Sequence, residues 1–355
     1  MELKTKKIIY LINVLLLSTV LFVILSILTF FEILKENKDH RYSKKIVTTT
    51  TMLGDLSKNL IQGVRLNGNL NDYFEVKTLM TTGVDPHNYQ AKSSDLRHIL
   101  STDLMVTNGL HLEAQMQKAF ETLCQVDKKN HSCLFFSAGE HLLLKNENDI
   151  IKGNKSGYAD PHIWFDVDLW REVCKELKEY IKKIIEPQYK REIESQIEEN
   201  FNKYDLKLEY LKKNIIKKIK ETNFDLNEVY IITSHDAFSY LCSFLNKIQK
   251  KDKKTFILEP IQGISTQDEA SVSRILELIN LIKKKNVKAI FTESSVPENT
   301  IKSLKENAVD WVKIVSPIQD NKENILYSDS LNEDNDYIKT FEHNIDIILK
   351  YLKKK

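Results

Sequence analysis

Four side chains with metal-ligand chemistry stand in four separate, distinctively worded stretches of this chain. His87 lies in Gly83-Val-Asp-Pro-His-Asn-Tyr89, His162 in Asp160-Pro-His-Ile-Trp-Phe-Asp166, His235 in Thr233-Ser-His-Asp-Ala-Phe238, and Asp329 in Leu326-Tyr-Ser-Asp-Ser330. Neutral imidazole nitrogen and carboxylate oxygen suit a borderline divalent ion, and four such groups close a zinc-like shell. Gaps of roughly 75 residues and more exclude a local zinc ribbon or finger. Tertiary folding must bring the loops together, which is the geometry of an ion held between two domains. Each residue also has a plainer reading. His87 alone is a surface turn histidine, His235 a capping or core histidine, and Asp329 one carboxylate in a stretch that also holds Asp320, Asp334 and Asp336.

The elements that would position these residues alternate. Ile46–Thr51, Phe74–Met80, Leu104–Thr107 and Cys133–Phe136 read as strands, each followed by a turn or helix start, which implies a parallel sheet covered on both faces. Ligands of such sheets sit beyond the carboxyl ends of the strands, where the loop of His87 falls. Pro86 fixes its own φ and biases Asp85 towards an extended conformation, so the loop is pre-set to aim an imidazole. From Pro187 to about Lys220, apolar residues recur at steps of three or four, from Tyr189 and Ile193 to Ile215 and Ile219, which predicts one helix of roughly 45 Å. A dimeric coiled coil is the alternative for that stripe. Strand-like runs then resume at Val229–Thr233, Thr255–Leu258, Ala289–Thr292 and Val312–Val315, with helical stretches such as Gln267–Lys284 between them. His235 directly follows the first of these runs and Glu293 the third.

At 355 residues the chain has room for about two domains. A net charge of +2 argues against nucleic acid as the main partner. Ile8–Phe31 is a mostly apolar run behind Lys4, Lys6 and Lys7, long enough to span a bilayer with the N-terminus in the cytoplasm. It is expected to be either an uncleaved anchor or a cleaved export signal; the first alanine of the chain is Ala91, so the usual small-residue cleavage site is missing. No cysteine precedes Cys124, and the four cysteines lack C-x-x-C spacing, so a cysteine zinc site is not expected. Cys174 falls on an apolar stripe with Trp170, Val173, Leu177 and Ile181, and Cys124 and Cys133 are free to pair in an oxidising compartment.

The wording of these loops resembles the zinc/manganese solute-binding proteins of ABC importers, of the ZnuA/TroA/PsaA type. The matching stretches run in the family's order: Ile46–Asp55, Gly83–His87, Asn108–Glu113, Asp160–Trp164, Ser234–Phe238, Gln262–Thr266, Glu293–Ser295 and Glu342–Asp346. The resemblance implies an α/β fold of two lobes, each with a parallel sheet flanked by helices, joined by one long rigid backbone helix. It divides the chain into an N-terminal signal or anchor segment (1–40), an N-terminal lobe (41–186), the linking helix (187–222) and a C-terminal lobe (223–355). It also implies that His87, His162, His235 and Asp329 hold one Zn(II) or Mn(II) as cargo. Histidine at the third position occurs in the family's zinc binders and in some that take both ions, and three nitrogens with one oxygen slightly favour zinc. The stretch Lys145–Gly157 has no histidine, unlike the metal-collecting loop of many zinc receptors, which places the chain nearer the TroA branch. His111 matches a family segment without being a ligand there and reads as structural. His40, His98, His131, His141 and His343 read as surface or packing residues.

The function expected from this resemblance is an extracytoplasmic receptor, in the periplasm or on the outer face of the cytoplasmic membrane, possessing no enzyme activity and acting as a monomer. Its partners would be an ABC permease and a separate ATPase, since the chain has no Walker motif. A zinc hydrolase is the alternative from another class, although the chain contains no H-E-x-x-H and four protein ligands leave no position for water. A membrane-tethered adhesin with a structural metal is a third. Asp236 or Glu293 is expected to orient an imidazole. Histidines bind metal only when neutral, so affinity should fall below about pH 6.

Overall fold

A computed structural model of the chain describes residues 18, 19, 21–27, 29, 43–67, 71–125, 133–153, 158–222, 228–249, 255–268, 270–297, 301, 304, 306, 312–315 and 324–352. The expected signal or anchor segment, 8–31, lies largely outside these residues. Among the described residues no helix is long and apolar enough to cross a membrane. Lys44–Val64 and the chain from Phe74 onward form one compact unit, which contains both sheets and all four candidate ligands.

The first sheet consists of β1 (Lys44–Thr48), β2 (Phe74–Thr78), β3 (Leu104–Thr107) and β4 (Leu134–Ser137), all parallel in the order β2-β1-β3-β4. The second has β5 (Val229–Thr233), β6 (Phe256–Pro260), β7 (Ala289–Phe291) and β8 (Lys313–Val315), parallel in the order β6-β5-β7-β8. The two orders are the same. In each, the chain steps outward from its first strand and then crosses back to the other side, which leaves a switch point between the first and third strands. The expected α/β architecture of two lobes is therefore present.

Several element edges differ from the sequence reading by a few residues, two of them for one reason. The threonine run was expected to carry a strand from Ile46 to Thr51, but β1 ends at Thr48 and α1 (Thr51–Ile61) begins at once. The Thr50 side chain accepts the Leu53 N–H at 3.4 Å, so a β-branched residue acts here as an N-cap. Likewise the helix expected from Gln267 starts only at Val272, behind a Ser271 cap that accepts the Arg274 N–H.

Further helices are α2 (Ser93–Leu100), α3 (Gln117–Gln125), α4 (Ala138–Lys145), α5 (Val167–Lys183), α6 (Lys190–Glu221), α7 (Ser239–Gln249), α8 (Val272–Lys285) and α9 (Tyr337–Leu352). The long helix α6 runs for 32 residues, about 48 Å. Its stripe, from Ile193 to Ile219, is buried against α1, α5 and α9 of the same chain, which leaves no seam for a coiled coil. Polar ties fix it at both ends of that contact. Tyr204 donates to Asp55 of α1 at 3.0 Å and Arg171 of α5 grips Asp205 with two bonds of 2.6 and 2.7 Å. Further along, Asn214 donates to Glu342 of α9 at 2.5 Å. A helix so held on α1 and α5 beside the first sheet, and on α9 beside the second, resists bending between them.

Candidate metal centre

The two Asp-Pro-His segments share one local bond but not one backbone: His87 lies within the 3-10 turn Pro86–Asn88, whereas His162 caps the 3-10 turn Ile163–Phe165. Asp85 caps the 3-10 turn Pro86–Asn88, its Oδ1 accepting the His87 N–H at 2.9 Å, and Asp160 Oδ1 accepts the His162 N–H at the same distance. At the ring they diverge. Asp160 Oδ1 lies 2.7 Å from His162 Nδ1, whereas Asp85 Oδ2 accepts from Asn88 and Thr266 instead. Gly83, at φ +78°, supplies the left-handed bend that begins the His87 loop. Trp164 walls one side of the site. The Trp164 ring lies edge-on to His162 with centroids 5.3 Å apart, and its Nε1–H donates to the Ser328 carbonyl at 3.1 Å.

In the second lobe the switch point itself supplies the chemistry. His235 leaves the carboxyl end of β5 and Glu293 that of the neighbouring β7. Glu293 Oε1 accepts the His235 N–H at 2.9 Å, and its Oε2 sits 2.6 Å from His235 Nδ1. Asp236, the other residue expected to orient an imidazole, turns away to accept from Ser239 at 2.6 Å. Asp329 is carried by a loop stitched on three sides. Leu326 bonds back to Thr292, Asn344 brackets Tyr327 with bonds of 2.9 and 2.8 Å, and the Leu331 N–H donates to Thr51 in the first lobe at 2.8 Å.

These loops bring His87, His162, His235 and Asp329 to one point, with one ligand atom from each lying within 4.8 Å of all the others. Asp329 Oδ1 is 3.3 Å from His162 Nε2, and Oδ2 is 3.3 Å from His235 Nε2. All four residues are buried, at 0 to 4% exposure. Yet the Nε2 atoms of the three histidines and both oxygens of Asp329 have no hydrogen-bond partner. Five unsatisfied polar atoms at one buried point are costly unless something else binds them. A tetrahedral zinc shell holds its ligand atoms roughly 3.4 Å apart, so a set spread over as much as 4.8 Å must draw in by up to about 1.4 Å to close on an ion.

The charges favour a cation. Burial pushes His87 down to about 3, so its imidazole is neutral. Burial acts the same way on His162 and His235, but carboxylates outweigh it. Asp160 and Asp329 lift His162 to about 9, and Glu293 and Asp329 hold His235 well above its ordinary value. Asp329 stays far below the usual carboxylate range despite its burial, because both imidazoles face it. Without an ion the site therefore holds two protons near neutral pH. An ion must replace them, and once the Nδ1–H groups point at Asp160 and Glu293 the Nε2 lone pairs are free to bind it.

The remaining histidines lie elsewhere. His111 is exposed at φ +66°, its ring 4.3 Å from that of Tyr158; His141 pairs with Glu176 at 2.9 Å; His343 Nε2 lies 2.9 Å from the Ile325 carbonyl. His98 is exposed, and His40 and His131 lie outside the described residues. Cys124 and Cys133 are joined in a disulfide, while Cys174 and Cys242 are free and buried. Asp160 escaped the sequence reading, although the signal was there in the repeated Asp-Pro-His.

Residues 46–351 match the profile of the ZnuA family, described as zinc-uptake complex component A, periplasmic. The chain belongs to this family. Family members are periplasmic metal-binding receptors rather than enzymes, among them the manganese ABC transporter substrate-binding lipoprotein PsaA of Streptococcus anginosus, so the hydrolase alternative is not favoured and the protein is extracytoplasmic. The chain is 30% identical over 312 residues to the zinc-binding protein TroA of Treponema pallidum, covering 86% of this chain and 88% of that one. It is 29% identical over 313 residues to the manganese-binding lipoprotein MntA of Bacillus subtilis, covering 87% and 90%. The solved structure of the periplasmic zinc-binding protein TroA superposes with a TM-score of 0.71 at 28% identity, over 88% of this chain and all of that one.

Proposed function

We propose that this ZnuA-family receptor captures one Zn(II) or Mn(II) ion between its lobes through His87 and His162 of the first lobe and His235 and Asp329 of the second. The observation that carries this reading is the meeting of five buried nitrogen and oxygen atoms, none of them hydrogen-bonded, at one point. Two ligands from each lobe make capture sensitive to lobe position, so a small separation releases the ion to a permease driven by a separate ATPase. Three imidazoles and one carboxylate suit zinc, and the Irving–Williams order places zinc above manganese at the same site. The relatives named for zinc and for manganese support keeping both as cargo, with zinc favoured.

The same reading assigns residues 41–186 and 223–355 to the two lobes and 187–222 to the helix between them, and takes the receptor as a monomer. The apolar run 8–31 with its basic flank supports a membrane tether, and the Cys124–Cys133 disulfide fits an oxidising compartment. The test is a competition titration of metal-stripped protein with Zn(II) and Mn(II). One tight site per chain, lost in His235→Ala, is the expected result. Absence of a stoichiometric site for either ion refutes the assignment.

A further inference from the structure

The turn that carries His87 is gripped from the opposite lobe. Thr266 Oγ1 donates to Asp85 Oδ2 at 2.7 Å, and Gln267 Nε2 donates to the carbonyl oxygen of His87 itself at 2.9 Å. Asn88 closes the arrangement, donating to both Asp85 Oδ2 at 2.7 Å and Thr266 Oγ1 at 3.1 Å. Upstream, the Gly83 N–H donates to Ser330, the residue after Asp329, at 3.0 Å.

Thr266 and Gln267 belong to the loop that follows β6, and that loop is also bonded to the other lobe's ligand. The Gln262 N–H donates to the Ser234 carbonyl at 2.8 Å and the Asp236 N–H to the Gly263 carbonyl at 3.0 Å, so the loop brackets His235 through its backbone. One short loop thus touches the flanks of His235 on one side and the turn of His87 on the other. The roles of the ligands are unequal in the same sense. Asp329 already stands 3.3 Å from both His162 and His235, whereas no such contact ties His87 Nε2 to the cluster. The position of His87 depends on its turn, and the turn is fastened across the cleft.

We propose that Thr266 and Gln267 are positioning residues for metal retention: they latch the His87 turn to the second lobe, and breaking the latch lets His87 withdraw from the ion. The inference rests on the ligand set given under Proposed function. Thr266 is half-buried and Gln267 exposed, so neither holds up the core. Their loss should act on the opening of the cleft and hence on release, with little effect on capture.

The experiment loads full-length protein with Zn(II) and follows its release to an excess of chelator by stopped flow. T266V keeps the shape of the side chain and removes the hydroxyl; T266S keeps the hydroxyl; Q267L removes the donor to His87. The latch predicts that T266V and Q267L each release zinc about tenfold faster, a little over 1 kcal/mol by the tenfold rule, while T266S behaves as wild type. Binding should stay at one ion per chain, with the melting temperature of the metal-free protein unchanged. Release at the wild-type rate from T266V overturns the latch, and so does the same result from Q267L if T266V fails to fold. Wild-type protein that binds no zinc at all overturns the latch together with the ligand assignment, an outcome distinct from intact binding with unchanged release.

Discussion

Metal capture by this receptor should expel close to two protons at neutral pH, and its affinity should climb steeply with pH. The perturbation is simply a change of pH from 6 to 8. In the metal-free protein His162 titrates at about 9 and His235 well above its ordinary value, because Asp160, Glu293 and Asp329 hold both imidazoles as cations against the pull of burial. The sign follows directly. A raised value means the proton is bound below it, so lowering the pH favours the metal-free state and weakens the ion. At pH 7 the proton on His162 alone costs about two powers of ten in affinity, on the order of 3 kcal/mol. His235 contributes in the same direction, so log Kd should fall by up to about 2 for each unit of pH. The expectation from sequence, a fall beginning near pH 6, therefore moves upward by the action of the carboxylates. The same shift has a mirror image in the metal-free protein. Stability gained from protonated His162 is full below about pH 6.5 and is lost as pH rises through about 9. Isothermal titration calorimetry with zinc, in buffers of different ionisation enthalpy, counts the protons directly. Release of fewer than one proton at pH 7, or affinity that is flat from pH 6 to 8, would refute the electrostatic reasoning.

Three substitutions have defined outcomes. Glu293→Gln and Asp160→Asn each remove the charge behind one ligand imidazole, and each should weaken zinc by about 10- to 100-fold without changing the stoichiometry; affinity within twofold of wild type in both would remove the orienting role. Leu208→Ala opens a cavity in the buried stripe of the long helix and should cost about 2–5 kcal/mol, read as a lower denaturation midpoint; a change under about 1 kcal/mol would mean the stripe is not the packed seam described.

Much of this molecule was legible in the residues because local chemistry and global fold agree. The strands carry β-branched and apolar runs, and Val229–Thr233 begins and ends where the pattern does. The long helix was legible because one stripe persists over its whole length, although it begins at Lys190, behind the 3-10 turn Pro187–Tyr189, and not at Pro187. The edges were less so, since threonine serves equally in a strand and as a cap, and only the next helix decides which role Thr50 takes. The four candidate ligands stood out by type and wording, and folding brings those four together. What supports them was harder to see. Glu293 lies 58 residues from His235 and meets it only because β5 and β7 are neighbours across a crossover. Thr266 and Gln267 carry no ligand chemistry, and their reach to the His87 turn exists only because the fold sets the two loops side by side.

The ligand set can be read by X-ray absorption at the zinc edge of protein loaded with one equivalent. The zinc should have four nitrogen or oxygen neighbours at about 2.0–2.1 Å, with the outer-shell scattering of three imidazoles and no sulfur. A sulfur neighbour near 2.3 Å, or fewer than three imidazoles, would contradict a site built from His87, His162, His235 and Asp329.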